Sequence, residues 1–79
     1  MKYVYILESL SDPDRHYVGL TDDLRDRLEK HNNGVVSSTA RHRPWRIQTY
    51  LAFSDTQRAI EFEKYLKSGS GRAFAKKRL

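Results

Sequence analysis

A chain of 79 residues without one cysteine has to hold its fold by apolar burial alone. No disulfide staples it, no thiol serves as nucleophile, and no cysteine-bearing zinc site can be built. The length supplies one domain, expected over residues 1–79, with no room for a second core. Such small domains have little stability to spare. A groove or shallow surface site therefore suits the chain better than a large enclosed cofactor pocket. The three histidines, His16, His31 and His42, match no common zinc spacing. No apolar run approaches the roughly 18 residues of a membrane helix, and no signal-peptide core precedes the first strand, so a cytoplasmic location is expected.

Charge is distributed unevenly. The formal net charge is +5, from 15 Lys and Arg against 10 Asp and Glu. Residues 1–33 carry five basic and seven acidic side chains, whereas residues 34–79 carry ten basic and three acidic. No acid follows Glu63, while Lys64, Lys67, Arg72, Lys76, Lys77 and Arg78 do. A one-sided excess of this kind suits a polyanion, nucleic acid above others. A solvated basic helix that keeps the chain soluble accounts for the same run. Arg41, Arg43 and Arg46 surround His42 and Trp45, combining cations with an aromatic ring in a pattern fit for phosphate contact and base stacking. Trp45 equally suits a core position at the start of a strand.

The period-two pattern of residues 2–8 predicts a strand with Tyr3, Tyr5 and Leu7 on one face and Val4 and Ile6 on the other. Turn chemistry over 9–14 and a short strand over 15–19 complete an antiparallel hairpin. Thr21 is the expected N-cap of a helix over 22–32, with Asp22 and Asp23 in its first turn, and Asn33-Gly34 stops it. Residues 35–44 read as a polar, then basic, loop. In residues 45–53, Trp45, Ile47, Thr49, Leu51 and Phe53 alternate with Arg46, Gln48, Tyr50 and Ala52, which predicts a third strand. Ser54 and Gln57 have the spacing of a capping box for a helix to about residue 68. Gly69 and Gly71 then break the chain before a last helix over 72–79. The fold class is α+β in the order ββαβαα, a three-stranded antiparallel sheet flanked by helices.

Several side chains break this pattern. Arg27 and His31 share a helical stripe with Leu24 and Leu28, and Glu63 shares one with Ala59, Phe62 and Leu66. Charges near apolar surface are costly unless paired or metal-bound. A place at the stripe edge, or a Glu63–Lys67 pair one turn apart, accounts for each singly. Three such breaks in one small domain point to a site. Tyr5 and Tyr17 fall on the paired strands, where their hydroxyls can converge or their rings simply pack. Gly19, right after Tyr17-Val18, marks a turn or a close backbone approach. The Ser68–Arg72 segment lacks the pattern of a nucleotide-binding P-loop.

Tyr3-Val4-Tyr5 followed by Tyr17-Val18-Gly19 resembles the two half-motifs of the GIY-YIG nuclease superfamily. Arg27 and His31 stand where that family carries its helix arginine and a His or Tyr one turn on. Pro44-Trp45, the Ala59–Lys64 helix and the Lys67–Phe74 tail resemble the small bacterial single-domain members, and Glu63 maps to the family's metal-binding glutamate. The resemblance spans essentially the whole chain. It implies phosphodiester hydrolysis in nucleic acid, DNA ahead of RNA, with one Mg²⁺ or Mn²⁺. Tyr17 would be general base on water, with Tyr5 beside it holding water or phosphate. Arg27, with His31 one turn away, would hold the phosphate, and Glu63 the metal. Two positions depart from the family pattern: Tyr3 replaces the name-giving glycine, and Leu20 stands where several members carry a lysine that would depress the tyrosine pKa.

The expected activity is that of a metal-dependent endonuclease of low sequence specificity. Its DNA contacts would come from Arg41, Arg43, Arg46, Lys64, Lys67, Arg72, Lys76 and Lys77. The alternatives are a non-catalytic nucleic-acid-binding module on the same fold, favoured by Leu20, and an interaction domain recruited by a protein partner that supplies target choice.

Overall fold

The computed structural model describes residues 1–79. Strands β1 (Lys2–Ser9), β2 (His16–Thr21) and β3 (Trp45–Phe53) form one antiparallel sheet in the order β2-β1-β3. Helices α1 (Leu24–Asn32), α2 (Ser37–Ala40), α3 (Thr56–Lys67) and α4 (Gly69–Arg78) complete the α+β fold. The β1–β2 turn is tied by Ser9, whose hydroxyl accepts from the Ser11 and Asp12 amides at 3.2 and 3.0 Å and donates to the His42 carbonyl at 2.6 Å.

The central strand is buried on both faces, and the sheet divides the core in two. On one face Tyr5, Leu7 and Trp45 pack with Tyr17, Leu24, Leu28 and Ile47. On the other, Val4 and Ile6 meet Ala59 and Leu66, with Val18, Leu20, Phe53, Phe62, Ala75 and Leu79 around them. Each fully buried Leu of this kind contributes about 1.5–3 kcal/mol, which is how the fold does without disulfides.

Strand β3 occupies the predicted residues but does not keep one face. Ile6 pairs with Thr49 while the next residue, Leu7, pairs with Ile47, so Gln48 is an extra residue, a β-bulge. The bulge switches sides. Thr49 and Leu51 lie opposite Ile6 and Val4, whereas Ile47 lies opposite Leu7 and Trp45 opposite Ser9. One strand thus feeds both half-cores.

Three other boundaries differ from the sequence reading. The N-cap of α1 is Asp23 rather than Thr21, its carboxylate accepting from the Asp26 amide at 3.0 Å. The N-cap of α3 is Asp55 rather than Ser54, accepting from the amides of Gln57 and Arg58. In both cases neighbouring oxygens compete for one role, and the carboxylate also complements the helix dipole. The predicted break at Gly69 and Gly71 is absent. Ser68 alone interrupts the chain, in extended conformation, and caps α4 by accepting from the Gly71 amide at 3.1 Å. Gly71 sits inside α4 because a Cβ there would collide with the Tyr65 carbonyl at the end of α3. Gly34, at φ +77°, ends α1 as expected.

Residues 35–44 are not all loop. The Ser37–Ala40 segment closes one helical turn, α2, in which Thr39 is buried. The Trp45 indole donates to the Thr39 carbonyl at 2.8 Å. Asn32 brackets the Trp45 backbone, accepting from its amide at 2.6 Å and donating to its carbonyl at 3.0 Å. Trp45 is therefore a buried anchor between α1 and β3, and its ring is closed to base stacking.

Candidate active site

The register of the hairpin sets Leu7 opposite Tyr17 and Tyr5 opposite Gly19. Tyr5 and Tyr17 are thus diagonal neighbours on the face covered by α1, with ring centroids 6.4 Å apart. The Tyr5 ring leans across β2 over Gly19, where a Cβ would overlap its hydroxyl. Glycine at this position is a close-approach requirement, one of the two readings open from the sequence. The helical stripe of α1 then delivers Arg27 and His31 onto the same two phenols.

The contacts are specific. The Arg27 Nε–H donates to the Tyr5 hydroxyl oxygen at 3.4 Å. The Tyr5 hydroxyl lies 2.9 Å from His31 Nε2, and His31 Nδ1 lies 2.7 Å from the Thr39 hydroxyl. The Thr39 hydroxyl in turn donates to the Val36 carbonyl at 3.3 Å. The His31 ring also stacks edge-on against Tyr17 at 4.9 Å. No buried side-chain polar atom is left without a partner, the condition under which a polar cluster can sit inside a small core.

Electrostatics follow from burial. His31 has no exposed surface, and burial, helped by the neighbouring Arg27 charge, pushes its pKa down to about 4. The ring is neutral at physiological pH. Burial also pushes the Tyr5 phenol up, opposed by the Arg27 hydrogen bond and charge and reinforced by the charge of Glu63. With the ring neutral and the phenol protonated, their 2.9 Å contact is a hydrogen bond between two neutral groups, its direction set by which ring nitrogen carries the proton. The Arg27 guanidinium is held protonated by its bond to Tyr5, with Tyr17 adding to the effect. The Tyr17 side chain is half-buried, and a hydrogen-bonding contribution from its hydroxyl is felt at Arg27.

Glu63 lies on α3, across the sheet from α1, and its charge is felt weakly at the Tyr5 hydroxyl. Its side chain is 16% exposed, and Oε2 pairs with Lys67 Nζ at 2.6 Å. The other carboxylate oxygen accepts no hydrogen bond from the chain. No cluster of three or more His, Cys, Asp or Glu exists that would cage a metal. Mg²⁺ asks for less, because it binds through one or two carboxylates and completes its shell with water and phosphate oxygens. A single hard oxygen donor fits Mg²⁺ or Mn²⁺ in that manner.

The cationic residues singled out from the sequence do not form one stripe. Arg46 is engaged with Glu8, at 2.6 Å from Nη2 and 2.7 Å from Nε. Arg43 donates from Nε to the Ala40 carbonyl at 2.8 Å. Lys67 is held by Glu63, while Arg41, Lys64 and Lys77 are exposed. Arg72 and Lys76 line a cleft of about 430 Å³ floored by Ile6, Val18 and Leu66. That cleft opens on the face of the sheet opposite Tyr5, away from the phenol cluster. Thr39 was not legible as a site residue. A threonine in a Ser-Ser-Thr-Ala stretch looks like a solvated turn until the fold brings it to His31.

With this geometry the chain belongs to the GIY-YIG family: the model of the GIY-YIG catalytic domain matches residues 1–78. It is similar to the structure-specific endonuclease subunit SLX1 homolog of Giardia intestinalis, 34% identical over 65 residues, covering 77% of this chain and 18% of that protein. It is similar also to the structure-specific endonuclease subunit SLX1 of Cryptococcus neoformans (strain JEC21), 37% identical over 65 residues, covering 75% of this chain and 13% of that protein. The chain thus spans less than a fifth of the length of these relatives. Among solved structures it resembles the solution NMR structure of the UPF0213 protein BH0048 from Bacillus halodurans. The TM-score is 0.56 at 33% identity, over 96% of this chain and 81% of that one. No helix is long and apolar enough to cross a membrane.

Proposed function

We propose that this chain, acting as a single domain, is a metal-dependent endonuclease that hydrolyses phosphodiester bonds in nucleic acid, DNA in preference to RNA. The observation that carries the reading is the meeting of Arg27 with two phenols of opposite character. Tyr5 is buried and hydrogen-bonded to Arg27 and His31, and Tyr17 is half-exposed beside the same Arg27. Tyr17, as its phenolate, takes the proton of the attacking water, being the phenol of the pair that water can reach. Arg27 uses its Nε on Tyr5 and turns its remaining donors to the phosphate, whose charge grows in the transition state. Tyr5 and His31 hold Arg27 rather than the substrate. Glu63 holds Mg²⁺ or Mn²⁺ through its open oxygen. When bound, such an ion polarises the phosphate and stabilises charge on the leaving oxygen. Lys64 and Arg41, exposed and unpaired, are the first candidates for backbone phosphate contacts, followed by Lys77, Arg72 and Lys76.

The relatives are named as structure-specific endonuclease subunits, which supports a substrate recognised by its shape. The chain carries only part of their length, so a protein partner that selects the target is compatible with this reading. The test is a panel of labelled duplex, nicked, branched and single-stranded DNAs and RNAs, incubated with Mg²⁺, with Mn²⁺ and with chelator. Cleavage that needs metal and vanishes in Tyr17→Phe is the expected result; no cleavage of any substrate by folded protein refutes it.

A second reading, a binding module without chemistry, draws on one contact: Lys67 already neutralises Glu63 at 2.6 Å. Metal titration followed by NMR separates the two. An enzyme shows shifts centred on Glu63, and a binder shows none there.

A further inference from the structure

We propose that Thr39 is a positioning residue that aims Arg27, acting through the hydrogen-bond chain Arg27–Tyr5–His31–Thr39–Val36; what Arg27 is aimed at, a phosphate, rests on the hydrolase reading above. The chain has fixed polarity at both ends. A guanidinium only donates, and a carbonyl only accepts. From the first end, the Tyr5 oxygen accepts from Arg27 Nε, so the Tyr5 proton must go elsewhere, and His31 Nε2 at 2.9 Å is the acceptor at hand. From the other end, the Thr39 hydroxyl gives its proton to the Val36 carbonyl, so it accepts at 2.7 Å from His31 Nδ1. Both arguments arrive at the same ring: neutral, with the proton on Nδ1 and Nε2 bare.

The tautomer of a neutral imidazole is decided by the hydrogen bond its other nitrogen makes. Here that partner is Thr39, 1% exposed and delivered by the single turn of α2. Removing the Thr39 hydroxyl leaves the Nδ1 proton unsatisfied in the interior, which is costly. The ring answers by moving its proton to Nε2. That proton then points at the Tyr5 oxygen, already the acceptor for Arg27. Tyr5 would face two donors and have no acceptor for its own proton, and the hold on Arg27 Nε is lost. Thr39 touches no reacting atom, yet it fixes the direction of the whole chain. It lies outside the set Tyr5, Tyr17, Arg27, His31 and Glu63 that the family resemblance marks.

The experiment uses the full chain labelled with ¹⁵N. NMR of the His31 ring reads which nitrogen carries the proton, and the Arg27 Nε–H signal reads its protection. In the unaltered protein Nδ1 is expected to be protonated, Nε2 bare, and the Arg27 Nε–H protected from exchange. Thr39→Ser keeps the hydroxyl and should keep all three signatures. Thr39→Val keeps the shape, and should move the ring proton to Nε2 and expose the Arg27 Nε–H. With a cleavable substrate, Thr39→Val should lower kcat about 10–100-fold, the scale at which supporting groups act on a site, with little change in KM. In an Arg27→Ala background the same substitution should cost no further kcat, which a merely structural role would not produce. A protonated Nε2 in the unaltered protein, or an unchanged tautomer in Thr39→Val, overturns the proposal without needing a variant's activity. If the NMR signatures hold and no substrate is cleaved, the hydrolase reading fails while the chain of hydrogen bonds stands.

Discussion

Lowering the pH should weaken this fold through His31 in a calculable way. The ring is neutral in the native state, with its pKa pushed down to about 4, whereas an unfolded histidine titrates near 6.5. Between these values the unfolded chain binds a proton that the native chain refuses, so stability rises with pH and falls as pH drops. The contribution is fully present above about pH 6.5 and is lost progressively down to about pH 4. From the linkage relation the loss is about 0.8 kcal/mol at pH 6, about 2 kcal/mol at pH 5 and about 3 kcal/mol at pH 4. For a small domain this is a large fraction of the total. Burial is the main cause, helped by the Arg27 charge; a second ring proton would also crowd the Tyr5 oxygen that already accepts from Arg27. Urea unfolding of the protein and of His31→Gln at pH 7, 6 and 5 measures it. The variant will be less stable at pH 7, having lost a buried ring, but its stability should fall less between pH 7 and 5, by about 2 kcal/mol. All other titrating groups are common to the two proteins and cancel. Parallel pH dependences would refute the buried, neutral His31.

Four further outcomes are expected. Tyr17→Phe should cut cleavage about 10²–10⁴-fold with an unchanged melting temperature, since the ring that packs on His31 remains; undiminished cleavage would move the general base elsewhere. Gly19→Ala should cost about 1–3 kcal/mol in urea unfolding, because its methyl group enters the space of the Tyr5 hydroxyl; a neutral result would mean the ring has another place to go. Glu63→Leu should leave stability in chelator within about 0.5 kcal/mol, or raise it, because it exchanges a largely buried carboxylate, offset by one i,i+4 pair with Lys67, for an apolar side chain. The same variant should lose the metal-induced rise in melting temperature together with cleavage. DNA affinity should fall with a slope of log K against log[salt] near −3 to −4 if about four phosphates are contacted; a flat response would remove the electrostatic argument.

The stripe of α1 was legible because that helix buries a single face, and β1, buried on both faces, because its period of two separates Tyr3, Tyr5 and Leu7 from Val4 and Ile6; together they set Tyr5, Tyr17, Arg27 and His31 on one side of the sheet. The bulge at Gln48 was not legible, for a physical reason. Both faces of the sheet are covered by helices, so an apolar residue suits either side. Alternation through 45–53 therefore cannot reveal where the strand changes face. The caps were misplaced by one or two residues because Thr21, Asp22 and Asp23, and again Ser54 and Asp55, offer competing oxygens that only backbone geometry can rank.

The candidate site was legible where a polar side chain breaks an apolar stripe and illegible at Thr39. Arg27, His31 and Glu63 betray themselves by sitting where an apolar residue would cost less. Thr39 breaks no pattern, since a hydroxyl in a turn is commonplace. What makes it matter is that a buried histidine needs two partners of opposite kind, one to accept and one to donate. In the direction proposed above, Tyr5, itself taking a hydrogen bond from Arg27, is the donor. The acceptor must then come from another element, and α2 exists as a helical turn at the one place that provides it. The same logic bears on Leu20. Leu20 places no cation beside Tyr17, so on the hydrolase reading Arg27 and the ion proposed for Glu63 are the charges left to assist it. An arginine given that task has to be held still, and the four groups behind it, from Tyr5 to the Val36 carbonyl, are arranged to do so.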